Sequence, residues 1–144
     1  MHLTQETDYA MRIIYCLAKS GRRMDASSIS EEMRISLRFS LKILGKLAGA
    51  GLVNSYKGMR GGYELARPAD QITLKQVLDV IEGHAYAISR CLCEGEDCNR
   101  GMSGCCVFQN LWAQITSEVN QTLSGITFAD MLARDTNRTT GTPD

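Results

Sequence analysis

Residues 35–66 have the sequence ISLRFSLKILGKLAGAGLVNSYKGMRGGYELA, and its periodicity changes halfway along from helical to extended. Ser36 is suited to cap the N-terminus of a helix, and apolar residues then recur at helical spacing. Residues 52–56 and 63–66 alternate between apolar and polar side chains, as strands do, on either side of the glycine-rich tip KGMRGG. We therefore predict a helix followed by a β-hairpin. The apolar residues of this helix are expected to pack into the hydrophobic core of the domain: Leu37, Leu41, Leu44, Leu47 and Ala48.

A shorter helix is expected just before this one, capped by Asp25 or Ser27 and burying Ile29 and Met33. Two short helices joined by a tight turn form a helix-turn-helix, and a basic hairpin directly after it is a wing. The sequence therefore predicts a mainly α-helical winged helix-turn-helix with a two-stranded β-wing. A long C-terminal dimerisation helix is expected to follow it.

The second helix and the wing carry the candidate DNA-binding residues. Arg38 and Ser40 lie at the start of the helix, where side chains reach base edges in the major groove. Arg60, at the wing tip, is placed for the minor groove. The remaining candidates are expected to hold phosphates: Lys42, Lys46 and Lys57.

Charge is distributed unevenly along a chain whose formal net charge is zero. Residues 1–75 carry twelve Lys and Arg against seven Asp and Glu, whereas residues 76–144 carry four against nine. The segment from Met33 to Tyr63 holds six basic side chains and no acidic one. Such local basicity is typical of a face that binds a polyanion, although a solvated basic face would look the same.

The 144 residues, 44% of them hydrophobic and 22% charged, suit one globular domain with an appended arm. We expect a winged helix-turn-helix over 1–83, a cysteine-rich loop over 84–106, a dimerisation helix and terminal turn over 107–133, and a disordered tail over 134–144. The long helix carries an apolar stripe from Phe108 to Leu123. Because the winged helix before it is already of normal size, we expect this stripe to be buried against a second copy of the chain.

No apolar run is long enough to span a membrane, and the opening MHLTQETDYAMR lacks the apolar centre of a signal peptide. The expected location is therefore the cytoplasm, with no membrane partner.

Five of the six cysteines fall within 16 residues: Cys91, Cys93, Cys98, Cys105 and Cys106. Structural disulfides are unusual in a reducing cytoplasm, so the cluster predicts a metal or redox site. Thiolate ligands alone do not separate an iron–sulfur cluster from zinc. The isolated Cys16 is expected to be a small buried apolar residue.

These segments together resemble the winged-helix transcription regulators typified by IscR, NsrR and RirA. The resemblance rests on LTQETDYAMR, residues 35–66, ITLKQVLDVIEG and the cysteine loop leading to Leu111-Trp112, and it covers roughly residues 2–132. It implies a homodimer that binds a roughly palindromic DNA operator. It also implies an iron–sulfur cluster, 4Fe–4S or 2Fe–2S, between the loop of one subunit and the first helix of the other. Such a cluster senses nitric oxide, redox state or iron supply.

The resemblance also implies which residues hold the cluster. The family's three loop cysteines correspond to Cys91, Cys98 and Cys106, with Cys93 and Cys105 as alternates. Several relatives have a histidine where this chain has Gln109, and the NsrR type instead uses an aspartate in the sequence TDY. That motif implies Asp8 of the partner subunit as the fourth ligand. From the residues alone, the preferred interpretation of Asp8 is a favourable first-turn charge or an ion-pair partner for Arg12.

Two other classes of function are alternatives. A regulator without an iron–sulfur cluster would use structural zinc, redox thiols or a protein partner; zinc needs four ligands, and Cys-x-Cys and Cys-Cys lack the usual gap between them. An enzyme is not expected, because no histidine lies near the cysteines in sequence to act as a base and no phosphate-binding loop precedes a helix.

Overall fold

The computed structural model describes residues 3–93, 98–102 and 106–140. Within them, six α-helices and one antiparallel pair of strands confirm the predicted winged helix-turn-helix. In chain order the elements are α1 (Gln5–Ser20), α2 (Ala26–Met33), α3 (Leu37–Gly49), β1 (Val53–Tyr56), β2 (Gly62–Leu65), α4 (Leu74–Glu82), α5 (Val107–Ser124) and α6 (Phe128–Thr140). Short 3₁₀ turns lie at Ala69–Gln71 and Arg90–Leu92.

The helix boundaries follow local capping signals. The side chain of Asp25 accepts the amide of Ser28 at 2.7 Å, and the hydroxyl of Ser36 accepts the amide of Phe39 at 3.3 Å. α1 ends at Gly21, which adopts the left-handed conformation (φ +62°) that terminates helices. These boundaries were predictable because each depends on residues within one turn of the helix end.

The hydrophobic core lies between α1, α3 and α4. α1 packs against α2, α3, α4 and α6, so it is the central helix of the unit. Its Ile13 and Ile14 are fully buried, and so is Cys16, as the sequence predicted. The other helices contribute side chains that are at most 1% exposed: Ile29, Ile43, Leu44, Leu47, Val77, Leu78 and Phe128.

The C-terminal helix α6 extends further than the sequence indicated. We expected a short turn and then a disordered tail from residue 134, but α6 continues to Thr140. Thr127 and Asp130 cap its N-terminus reciprocally, with backbone-to-side-chain distances of 2.9 and 3.2 Å. Near its C-terminal half, Asp135 accepts a hydrogen bond from the hydroxyl of Tyr15 in α1. This contact spans 120 residues of sequence, so local composition gave no sign of it. Residues 141–144 lie outside the described part of the chain.

α5 differs from the other long helices because none of its 18 residues is buried. It packs against α4 and the 3₁₀ turn at Arg90–Leu92 but leaves large apolar side chains in solvent. Val107 is 73% exposed, Phe108 55% and Leu111 46%. Across the described residues, every helix is too short or too polar to cross a bilayer.

Candidate nucleic-acid interface and cysteine loop

The outward face of α3 carries two kinds of side chain. Arg38 and Lys42 point to solvent, as the sequence predicted. Leu37 and Leu41, which we expected in the core, are instead 44% and 46% exposed. The core face of α3 is formed by Ile43, Leu44 and Leu47. Leu37 and Leu41 lie beside this face, toward solvent. An apolar row beside a basic row therefore lines the exposed side of this helix.

Ser40 does not occupy this face. Its exposed fraction is 0%, so the prediction that it reaches base edges is wrong for this structure. The hydroxyl also has no hydrogen-bond partner among the described residues. Helical spacing explains the error, because Ser40 lies one turn before the buried Ile43 and Leu44, on the side of α3 that faces α1 and α2.

The lysines of α3 have an acidic partner that the local sequence does not contain. Glu6, in the first turn of α1, lies with Oε1 2.7 Å from Lys46 Nζ and 3.5 Å from Lys42 Nζ. The hydrogen bond to Lys46 is the main reason that the pKa of Glu6 is lowered, and the charge of Lys42 adds to the effect. A carboxylate of the protein therefore occupies lysine donors that a DNA phosphate would use.

The wing is the hairpin of β1 and β2, paired from Val53↔Leu65 to Tyr56↔Gly62. Lys57 and Arg60 are exposed at its tip, where the sequence predicted them. The tip turns sharply between them: Gly58 has φ +91°, and a Cβ at Gly61 would lie 2.6 Å from the carbonyl oxygen of Tyr56. Glycine is required at both positions for the tip to form.

The first two loop cysteines lie at the 3₁₀ turn next to α5. Cys91 Sγ is 3.2 Å from Ser89 Oγ, and Cys93 Sγ is 4.0 Å from the carbonyl oxygen of Ser89. Both thiols are half-buried. The side-chain amide of Gln109, in the first turn of α5, donates to the carbonyl of Cys91 at 3.2 Å. This hydrogen bond brings the start of the loop to the start of α5.

Cys106 immediately precedes α5 and is buried. Cys98 is half-buried, and the backbone amides of Met102 and Arg100 hydrogen-bond to its sulfur. Those amides lower the pKa of Cys98 because they stabilise the thiolate. Cys105 lies outside the described residues. Within the described ranges, no three side chains of His, Cys, Asp or Glu are close enough to hold a metal ion together.

Asp8 forms a 2.7 Å ion pair with Arg12 one helical turn away, which is the simpler of its two predicted roles. Its side chain is about half exposed and remains accessible from outside the subunit. The turn that carries it is fixed by Glu82 at the end of α4. Glu82 Oε1 accepts hydrogen bonds from Thr4 at 2.7 Å and Thr7 at 2.5 Å, and these lower the pKa of Glu82. The start of α1 is thus joined both to α3 and to the last residue of α4, which leads into the cysteine loop.

A winged helix with a basic α3 and wing has the architecture of a DNA-binding regulator. Comparison with known proteins gives the family. Residues 3–134 match the model of Rrf2, described as an iron-dependent transcriptional regulator. The chain belongs to the Rrf2 family of transcription regulators, whose function is to bind DNA. The expectation that it is not an enzyme is confirmed, because the family and the relatives are regulators.

Three relatives illustrate the match. Protein aau3 of Rhizobium meliloti is 40% identical over 100 residues, which are 68% of this chain and 64% of that protein. A protein of Neisseria meningitidis assigned to the HTH-type transcriptional regulators is 31% identical over 139 residues, 95% of this chain and 91% of that protein. The regulator IscR of Vibrio campbellii is 30% identical over 135 residues, 92% of this chain and 77% of that protein.

Two solved structures share the fold. T. potens IscR superimposes with a TM-score of 0.74 at 23% identity, covering 100% of this chain and 94% of that one. CymR, the global cysteine regulator of B. subtilis, superimposes with a TM-score of 0.74 at 25% identity, covering 93% and 98%. The same winged-helix fold is therefore found both in an IscR and in a cysteine regulator.

Sequence reasoning missed two acidic residues of the site, Glu6 and Glu82. Both lie at the ends of helices, and their partners are 36 or more residues away. One signal was present in the sequence. Lys42 and Lys46 are neighbours on one face of a helix, and like charges at this spacing repel each other. A carboxylate from another helix between them would relieve that repulsion.

Proposed function

We propose that this regulator acts as a homodimer whose operator affinity is controlled by an iron–sulfur cluster bound at the cysteine loop. The hydrogen bond between Gln109 and the Cys91 carbonyl carries the proposal, because it holds the first loop cysteine against the first turn of α5, which Cys106 precedes. Cys91 and Cys106 then lie on adjacent pieces of backbone. Cys98 completes a set of three thiols on one loop.

The donor set fits an iron–sulfur cluster. Thiolates are the ligands that such clusters use, and the backbone amides around Cys98 already favour its thiolate form. Cys91, Cys98 and Cys106 would supply three of the cluster's ligands. When bound, the cluster supplies an iron centre that responds to nitric oxide, oxidants or iron supply.

We assign the fourth ligand to Asp8 of the partner subunit. The exposed carboxylate is available to a second chain, but ligation competes with its ion pair to Arg12. Glu6 in the same helical turn contacts Lys42 and Lys46 of α3. A displacement of this turn therefore changes which lysines are free for DNA and where the recognition helix lies.

On the DNA side, we propose that α3 enters the major groove. Arg38 reads base edges from the first turn, and the exposed Leu37 and Leu41 beside it are suited to thymine methyl groups. Lys42, Lys46 and Lys57 hold phosphates, while Arg60 enters the minor groove. Ser40 is left out of this interface because it is buried.

The homodimer is proposed to form through α5. The exposed Val107, Phe108 and Leu111 make an apolar surface that a second copy of the helix would cover. A two-fold symmetric dimer presents two α3 helices, so its operator is a rough palindrome with half-sites about one or two helical turns apart.

The cluster is tested by anaerobic purification. Wild-type protein should be brown and contain iron and sulfide in stoichiometric amounts. Cys98→Ala should abolish the cluster, whereas the matched variant Cys93→Ala should keep it. Asp8→Ala should leave a cluster that forms but is less stable. Loss of iron from Cys93→Ala with retention in Cys91→Ala would show that Cys93, and not Cys91, is the ligand.

The DNA-binding face is tested separately, with wild type and variants in the same cluster state. Arg38→Ala should relax sequence preference, because it removes a base contact. Lys46→Ala should weaken all sequences alike and lower the salt dependence by about one unit of log–log slope. If neither variant changes binding in a salt titration, α3 does not face DNA.

A second candidate is a regulator that senses through thiols without a cluster. It is favoured by the backbone amides of Met102 and Arg100, which lower the pKa of Cys98 and so favour a reactive thiolate. CymR, a cysteine regulator by name, shares the fold. A colourless anaerobic preparation whose DNA affinity changes on oxidation would support this candidate. Zinc at stoichiometric level would contradict both.

A further inference from the structure

The wing is attached to the rest of the unit by the short segment between α1 and α2. Met24 and Tyr63 exchange backbone hydrogen bonds of 2.9 and 2.7 Å, which adds a bridge to the edge of β2. Gly62 allows this approach, because a Cβ at that position would lie 2.6 Å from the carbonyl oxygen of Met24. The base of the wing is therefore docked through its backbone.

Arg23, the residue before this bridge, contacts both strands and the tip of the wing. Its guanidinium carbon lies 3.4 Å from the centre of the Tyr56 ring, at the end of β1. One nitrogen donates to the carbonyl of Arg60 at 3.0 Å, and the other is 3.6 Å from a carboxylate oxygen of Glu64 in β2. A planar guanidinium can stack on a ring and donate in its own plane at the same time, which an ammonium cannot do.

These contacts matter most at the tip, whose glycines make it sharp but costly to order. The backbone of Arg60 is fixed by the hydrogen bond from Arg23, so the Arg60 side chain starts from a defined position. A contact that is ordered before binding costs less conformational entropy on the complex.

We propose that Arg23 is a positioning residue for DNA binding, which docks the wing and fixes Arg60 for the minor groove. The proposal rests on the proposed function of the wing as a DNA-binding element. Arg23 acts through Arg60, not by binding phosphate, because its guanidinium is already shared among Tyr56, Glu64 and the Arg60 carbonyl.

The test is a double-mutant cycle with the full-length protein and a duplex that the wild type selects from a random library. Arg23→Ala should weaken binding about tenfold, the scale of one lost groove contact, and Arg60→Ala should do about the same. The double variant should be no weaker than either single one, because both remove the same contact. Arg22→Ala, a change to the exposed neighbouring arginine, is the matched control and should bind normally.

Two further measurements separate positioning from other roles. Arg23→Lys keeps the charge but not the planar fork, so it should bind as weakly as Arg23→Ala. Hydroxyl-radical footprints should lose minor-groove protection under the wing. Protection of guanine N7 from methylation by dimethyl sulfate, which reports on the major groove, should persist. If Arg23→Ala fails to fold by circular dichroism, Tyr56→Leu removes one of the three contacts without changing any charge and should show the same selective loss.

Restored binding in Arg23→Lys with additive losses in the cycle would mean a direct phosphate contact and overturn the proposal. Normal binding by Arg23→Ala, or by Tyr56→Leu where that variant is used, would also overturn it, provided Arg60→Ala is impaired. If Arg60→Ala itself binds normally, the wing does not contact DNA and the proposed function of the wing fails with it.

Discussion

Ser40 is a buried hydroxyl without a hydrogen-bond partner among the described residues, and such a group destabilises a fold. Ser40→Ala should therefore raise stability, by about 1 kcal/mol in the free energy of unfolding. DNA affinity should be unchanged, because the side chain is not at the surface. Urea denaturation and anisotropy titration measure the two quantities.

Ser30→Ala is the matched control for this substitution, because Ser30 Oγ is also buried but donates to the Ile35 carbonyl at 2.6 Å. Its removal should lower stability. If both serine variants change stability in the same direction, the hydrogen-bonding difference between them does not hold. A loss of DNA affinity in Ser40→Ala would return Ser40 to the base-reading face.

Glu6→Gln removes the acidic partner of Lys42 and Lys46. DNA binding should tighten by about two- to fivefold, since the ion pair is partly exposed and such pairs are worth at most about 1 kcal/mol. The salt dependence should steepen because more lysines are free for phosphates. Glu118→Gln, an equal charge change on α5, should leave both quantities unchanged; tightening in both variants would mean a general charge effect.

The same pair makes stability depend on pH. The pKa of Glu6 is lowered in the folded state, so its stabilising contribution is complete above its ordinary value of 4.5 and is lost as the pH falls through the lower folded value. The stability difference between wild type and Glu6→Gln should accordingly be present at pH 7 and shrink in more acidic buffer. A difference that grows on acidification would contradict the pairing.

At the scale of the element, α6 is held at its start by Phe128. The amide of Phe128 donates to the Ile72 carbonyl at 3.0 Å, and its side chain is 1% exposed within the core. Phe128→Ala should lower the free energy of unfolding by about 3–5 kcal/mol, because it leaves a cavity. Thermal denaturation tests this, with Met59→Ala as control: Met59 is fully exposed at the wing tip, so its truncation should change stability little.

Local signals predicted most elements but not their tertiary placement. Gly21, Ser36 and Gly83 act within one helical turn, so the helix ends that they mark were evident from the sequence. The exposure of Leu41 and the continuation of α6 past residue 134 depend on which helices meet, and no local pattern encodes that. The basic residues of the site were predictable and its acidic residues were not, for the same reason. Basic residues were found from composition, whereas Glu6 became part of the site only through packing.

At the scale of the whole molecule, the exposed face of α5 predicts self-association. Phe108→Glu together with Leu111→Glu should prevent this self-association, because paired carboxylates cannot be buried without partners. Sedimentation velocity measures the change, and operator affinity should fall with it. Ala113→Glu should remain dimeric, because it adds a carboxylate at an exposed position on the opposite side of the same helix. A double variant that stays dimeric would place the interface elsewhere.

Because the exposed side chains of α5 (Val107, Phe108 and Leu111) contribute nothing to the core of the winged-helix unit, these positions can change without opening a cavity in it. Genomes that encode several copies of one fold must keep the chains from mixing, and specific pairing depends on differences between their contact surfaces. Substitutions on α5 provide such differences at little cost to DNA recognition. A duplicated gene can thus acquire a new pairing preference before its recognition helix changes, and the two traits can diverge independently.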